Sequence, residues 1–131
     1  MTVEGNNIGV PSGEPAIRVV AMPADTNPYG DIFGGWLLSQ MDAAGGIVAA
    51  RHSKGRAVTI AVDGMTFHRP VKVGDVLSVY ADVVSTGRSS MKIDIAAWSR
   101  TRDGEESFKV THATFTFVAI GEDRRPRVIG G

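Results

Sequence analysis

Between Gly34 and Gly46 the chain reads GGWLLSQMDAAGG, and Asp42 is the one charged side chain in that stretch. At about 100° per residue with Asp42 at zero, Leu37, Met41, Ala44 and Val48 fall at about 200–260°, a stripe that suits a core-facing seam. Gly35, Ser39, Gly46 and Ala49 fall within about 60° of the carboxylate, so the acid stands among the smallest side chains of the segment. Small neighbours let a ligand or another backbone come close, and a carboxylate so placed can act as a general base or as a nucleophile. The plainer reading is an exposed Asp with incidental neighbours, the common state of this residue. Against it stands the tandem Gly45-Gly46, since each mid-helix glycine costs about 1 kcal/mol relative to alanine and needs a compensating close contact.

Gly34 and Gly35 open the segment. At a helix start the first N–H groups lack intrahelical partners and lie at the positive end of the helix dipole. They can receive a phosphate, or a carbonyl oxygen that gains negative charge during attack. They can equally serve only the turn into the helix. A second candidate is Gly87-Arg88-Ser89-Ser90, where a glycine turn carries a guanidinium and two hydroxyls able to hold phosphate oxygens.

Other chemistries fail on residue type or spacing. The chain has no cysteine, which removes disulfides, thiolate metal ligands and a Cys nucleophile. It has no G-x-S-x-G elbow. Gly30 and Gly35 have the spacing of a nucleotide phosphate loop, but Trp36 and Leu37 stand where Lys and Ser/Thr are required. His52, His68 and His112 lack metal-ligand spacing, so no metal is expected. His68 and His112 stay as lesser candidates for a general base, because a histidine in a strand is more often structural. Residues 123–127 (DRRPR) read as a solvated basic end, with phosphate contact as the lesser reading.

The elements that must position these groups follow from periodicity. A short apolar run over 16–22 reads as a strand, and the Pro-, Asn- and Gly-rich 23–33 as a loop. A helix is expected over Gly34–Ser53, with His52 and Lys54 near its negative end and Gly55 as the stop. The period then changes to two, giving strands over 57–67, 76–85, 91–100 and 107–120. One helix against one antiparallel, strongly curved sheet is an α+β arrangement. Such a sheet keeps a second face and two edges, which a small chain buries most simply against a copy of itself, so a dimer is expected.

Length and composition set the frame. At 131 residues one domain is expected, with 1–15 as a flexible N-terminal tail, 16–121 as the folded domain and 122–131 as a C-terminal tail. Fourteen basic residues balance fourteen acidic ones, so nothing draws nucleic acid or an anionic membrane. No apolar run approaches the ~20 residues of a membrane span. The first residues, MTVEGNNIGVPSGEPA, lack the basic and apolar regions of a signal peptide, and a cytoplasmic protein is expected.

Taken in order, Pro23-x-Asp25-x-Asn27-x-x-Gly30-x-x-x-Gly34-Gly35, then Met41-Asp42, Val73-Gly74-Asp75 and Gly87-Arg88-Ser89-Ser90 make a pattern. It resembles acyl-CoA thioester hydrolases of the hotdog fold, nearest the bacterial YciA type, over roughly residues 17–120. The resemblance implies a long central helix wrapped by a five-stranded antiparallel sheet, with protomers joined edge to edge as a homodimer and three dimers forming a hexamer. It implies hydrolysis of acyl-CoA to a fatty acid and coenzyme A, with no cofactor beyond the coenzyme A of the substrate. Sites lie between protomers, with Asp42 and Asn27 supplied from opposite sides. The amides of Gly34 and Gly35 face the thioester carbonyl, and Gly87, Arg88, Ser89 and Ser90 meet the nucleotide of coenzyme A. Two other readings stand beside it. A hotdog hydratase or dehydratase needs a histidine at the acyl chain, and none lies between Asn27 and Asp42. A non-catalytic acyl-CoA sensor keeps the pocket but has no need of Asp42.

Overall fold

Alternation of apolar and polar residues decides which face of each strand is buried. Met91, Ile93, Ile95 and Ala97 are fully buried while Lys92 and Asp94 between them are exposed, as a period of two requires. The computed structural model describes residues 10–129 and contains β1 (Ile17–Val20), α1 (Gly34–Ser53), β2 (Ala57–Asp63), β3 (Val76–Thr86), β4 (Ser90–Arg100) and β5 (Phe108–Ala119). Residues 1–9 of the expected N-terminal tail, and residues 130–131 of the C-terminal one, lie outside the described residues. The strands form one five-stranded sheet in the order β1-β3-β4-β5-β2, antiparallel at every pairing. The sheet holds the single long helix in its curve, so the hotdog architecture is present as expected.

Helix α1 has the expected limits, but its buried ridge runs differently from the seam drawn from the sequence. Leu37, Met41, Gly45, Ala49 and Ser53 are buried, a row in which each step is four residues. Such a row turns by about 40° per step around the helix. Val48 is therefore only partly buried, and Ala49, expected beside Asp42, lies in the core. Gly45 is part of this ridge: a Cβ there would meet Ile95 Cδ1 at 2.6 Å and Phe117 Cε1 at 2.8 Å. Its compensating contact is the helix's own sheet rather than a second helix or a ligand.

Both ends of α1 are fastened. At the start, the preceding loop turns through Pro23–Asp25 and pairs Thr26 with Ile32. The Phe33 amide donates to the Asp25 carbonyl at 2.9 Å and the Ile32 amide to that of Val71 at 3.3 Å. Lys72 Nζ reaches Asp31 Oδ1 at 2.9 Å. The Val73-Gly74-Asp75 stretch makes the turn that presents Val71 and Lys72. Gly74 sits at φ +92°, a left-handed value that costs glycine nothing, and Asp75 Oδ2 accepts from the Lys72 amide at 3.0 Å.

At the other end the stop residue is Lys54, at φ 58°, and not Gly55. Gly55 instead leaves room for Arg127, whose guanidinium a Cβ at that position would strike. Arg127 donates to the Ser53 carbonyl (2.9 Å), the Ser53 hydroxyl (3.2 Å), the Ile120 carbonyl (3.0 Å) and the Arg56 carbonyl (3.3 Å). This part of 123–127 is thus a C-terminal cap for α1 and not a solvated end. No helix of the described residues is long and apolar enough to cross a membrane.

Ser53 is fully buried, so its carbonyl loses a charged donor and gains no water if Arg127 is shortened. Arg127→Met is expected to lower the unfolding free energy by about 2 kcal/mol, read as a fall in the urea midpoint at unchanged m-value.

Candidate active site

Asp42 leaves α1 where the buried ridge has not yet turned to cover that face. Its side chain is exposed on the single chain and lines a cleft of about 320 Å³ with Gly35, Leu38, Ser39, Thr59, Val62 and Phe115. The Thr59 hydroxyl donates to Asp42 Oδ1. Ser39, also on this cleft, is turned back on the helix and donates to the Trp36 carbonyl at 2.6 Å. The walls are otherwise apolar, which suits a hydrocarbon portion of a ligand beside one anionic group.

The helix start reaches the same cleft through Gly35. Phe33 is the N-cap and supplies no side-chain cap to the first turn, so among the described residues no side chain caps the leading N–H groups at the positive end of the dipole. A Cβ at Gly35 would meet nothing within 4 Å, so packing within the chain does not require glycine there. Gly34 borders a different cleft of about 420 Å³, together with Phe33, Leu37, Phe67, His68 and Val71. The helix start is therefore flanked by two hollows, one holding the carboxylate and one bordered by apolar side chains together with His68 and Arg69.

His68 belongs to the second cleft and stacks on His112, ring centroids 6.3 Å apart. Neither histidine borders the Asp42 cleft.

Asn27 is not among the residues around Asp42. Its carboxamide oxygen accepts from the amides of Tyr29 (2.9 Å) and Asp31 (3.1 Å), and the Gly30 amide donates to its carbonyl at 3.0 Å. Two backbone N–H groups can bond only to the oxygen of the amide, so among the described residues the NH₂ has no partner and Asn27 is available as a donor.

The Gly87–Ser90 turn lies at the other end of the helix. Ser90 pairs with Val118, which pairs with Val58 at the start of β2, beside the α1 C-terminus. Asp42 stands eleven residues before Ser53, about 16 Å along the helix axis. The turn is closed by the Gly87 amide on the Ser90 carbonyl (2.8 Å), and the Arg88 carbonyl accepts from the Ile129 amide at 2.8 Å. The Arg88 side chain is exposed, and among the described residues the only ion pair is Lys72 with Asp31. A free guanidinium in a fixed turn can take an anionic oxygen from outside the chain.

One chain thus brings Asp42 and Gly35 together, adds Thr59, and sets Asn27 and the Gly87–Ser90 turn elsewhere. Comparison with known proteins supplies the chemistry that this arrangement serves. A family model described as the thioesterase superfamily matches residues 29–106, a span that includes Gly34, Gly35, Asp42 and the whole 87–90 turn. The chain belongs to the thioesterase superfamily. Among its relatives, an uncharacterized acyl-CoA thioester hydrolase of Zymomonas mobilis is 59% identical over 88% of this chain and 78% of its own length. The acyl-CoA thioester hydrolase YciA of Escherichia coli is 48% identical over 92% of this chain and 93% of its own. The crystal structure of a hexameric thioesterase from Yersinia pestis superposes with a TM-score of 0.88 at 49% identity, covering 93% of this chain and 99% of that one.

Thr59 is the polar member of the Asp42 cleft that the sequence did not disclose. It stands in an alternating strand like several other threonines, and only the fold brings it to the carboxylate.

Proposed function

We propose that the protein hydrolyses acyl-CoA thioesters to a free acid and coenzyme A, in sites completed by a second copy of the chain. The observation that carries the reading is one cleft holding both Asp42 and the uncapped helix start at Gly35, on a chain of the thioesterase superfamily. A thioester carbonyl is less resonance-stabilised than that of an ester, and its thiolate leaves readily, so no Ser or Cys nucleophile is required. Asp42 takes the proton of an attacking water, or attacks the carbonyl carbon itself. The amides of Gly34 and Gly35 receive the oxygen as it becomes negative, a role in which one donor is typically worth about 2.7–4 kcal/mol.

The second copy enters for two reasons. First, β2 is an edge strand whose outward side carries Val58 and Ile60, both exposed, with Ile60 at 60%. Tyr29, Phe33 and Phe67 are exposed as well, Tyr29 at 88%. An unpaired apolar edge of this kind is costly in water and pairs readily with itself. Pairing β2 with its symmetry mate joins two five-stranded sheets and encloses the Asp42 cleft. Second, Asn27 holds a free NH₂ away from its own Asp42. Donated across the two-fold axis, it orients the carbonyl in the partner's cleft. The hexameric state of the Yersinia pestis neighbour supports three such dimers as the final assembly.

At the far end of the helix, the exposed Arg88 with Ser89, Ser90 and the Gly87 turn takes the phosphates of the coenzyme A nucleotide. These are charge-assisted bonds that act on binding more than on the chemical step.

Free-thiol release from acyl-CoA tests the whole reading. Asp42→Asn is expected to lose about 100-fold or more in kcat, and wild-type rates in that variant would reject the role. Gly35→Ala should keep or raise the denaturation midpoint, since the added methyl meets nothing within 4 Å of the chain and alanine favours the helix, while its turnover falls. Arg88→Ala should raise KM for acyl-CoA about tenfold with kcat little changed, the pattern of lost uniform binding. Shared sites are tested by reassorting Asp42→Asn chains with Asn27→Ala chains. Random pairing restores one intact site in half the dimers, so about a quarter of wild-type activity should return from two inactive parents. No recovery on verified reassortment would place the site within one chain.

A further inference from the structure

We propose that Thr59 is the positioning residue of the Asp42 carboxylate, an assignment that rests on the hydrolase reading above and sharpens it. Among the described residues, the Thr59 hydroxyl is the one hydrogen-bond partner of the Asp42 side chain. Both residues border the same cleft. Ser39 stands on that cleft too, but its hydroxyl is committed to the Trp36 carbonyl, so it does not compete. The bond is made to Oδ1, which leaves Oδ2 as the oxygen that meets water or the thioester carbonyl. In neither route does Thr59 gain or lose a proton.

A side chain exposed on a helix turns freely about two torsions, whereas a reacting carboxylate has to be held within about 0.5 Å and 10–20° of its working position. The fold supplies the hold from β2, and an irregularity just beyond Thr59 completes the wall beside it. Along β2, Thr59 pairs with Phe117 but Ala61 pairs with Thr116, so Ile60 is an extra residue, a β-bulge. The bulge shifts the alternation by one. Thr59, opposite the buried Phe117, and Val62, opposite the buried Phe115, both turn toward α1 and wall the cleft. An unbroken strand would place Thr59 and Ala61 there and send Val62 outward. Bulges that re-aim a side chain are frequent at active sites. Threonine is also stiff at χ1, so the hydroxyl has few other places to go.

The test pairs Thr59→Val, which keeps shape and strand preference but removes the donor, with Thr59→Ser, which keeps the donor. Thr59→Val is expected to lower kcat about 10- to 100-fold with KM changed less than about threefold, since the bond serves orientation and not substrate affinity. Thr59→Ser should regain most of that loss. In the Asp42→Asn background, Thr59→Val should cost nothing more, because the two act as one unit. Crystals of Thr59→Val should show an unchanged β2 backbone and Asp42 spread over several rotamers. The proposal is overturned if Thr59→Val keeps wild-type kcat, if Thr59→Ser is as impaired as Thr59→Val, or if Asp42 keeps one rotamer without the hydroxyl. Absence of turnover by the wild type on any acyl-CoA would instead fell the hydrolase reading, and the rotamer measurement would still decide the role of Thr59.

Discussion

A single helix lying in the curve of a sheet cannot be covered evenly along its length, and this constraint governs the rest of the molecule. The residues of α1 that touch the sheet form a four-residue row, Leu37, Met41, Gly45, Ala49 and Ser53, which winds about 40° at each step. The face buried near the C-terminus is therefore the face that remains open nearer the start. Asp42 stands in that opening. Its exposure is a consequence of how a straight helix meets a twisted sheet, and no special distortion of the helix is involved.

What borders the opening is equally constrained. The sheet ends at β2, so the wall beside Asp42 is an edge strand, and an edge strand tolerates a bulge better than a central one does. The bulge at Ile60 brings Thr59 and Val62 inward together and pushes Ile60 out into solvent. The same residue that allows the inner wall to form thus adds to the apolar edge outside. On the proposed pairing of β2 with a second copy, assembly and site geometry would be linked through one strand, since that pairing would cover the exposed isoleucine and close the cleft. In the free chain the carboxylate faces water. Enclosure by a second copy would strengthen its interaction with a thioester and with the helix dipole.

The sequence carried the elements more clearly than the site. The span of α1 was legible because a Pro- and Gly-rich loop precedes it and the period changes sharply to two after it. Strands β3, β4 and β5 were legible because their apolar residues alternate over ten or more positions. The winding of the buried ridge was not, because a helical wheel treats all turns as equivalent, and so Ala49 was placed beside Asp42 when it lies in the core. The cap formed by Arg127 depends on contacts seventy-four residues apart, which no local pattern reports. Thr59 escaped notice for a related reason. Its role depends on a contact seventeen residues away along the chain, which a run of β-branched residues does not report. Asp42, Gly34 and Gly35 stand out in the sequence because they contradict the expected behaviour of a surface helix, while Thr59 contradicts nothing.

The glycines of α1 show how one residue type answers two different demands on a single element. Gly45 has its Cβ direction filled by Ile95 and Phe117, so its absent side chain is used within the chain, to bring the helix close to the sheet. Gly35 has the same direction empty, and nothing in the chain itself explains its choice. A glycine whose neighbourhood is crowded serves packing. One whose neighbourhood is vacant, at an uncapped helix start beside a carboxylate, has a cost in helix propensity of up to about 1 kcal/mol and no internal return. The return has to come from something that approaches from outside, close enough that a methyl group would obstruct it. A thioester carbonyl seated on the leading amides meets that requirement, and a partner subunit's loop alone would not require the amides to stay uncapped.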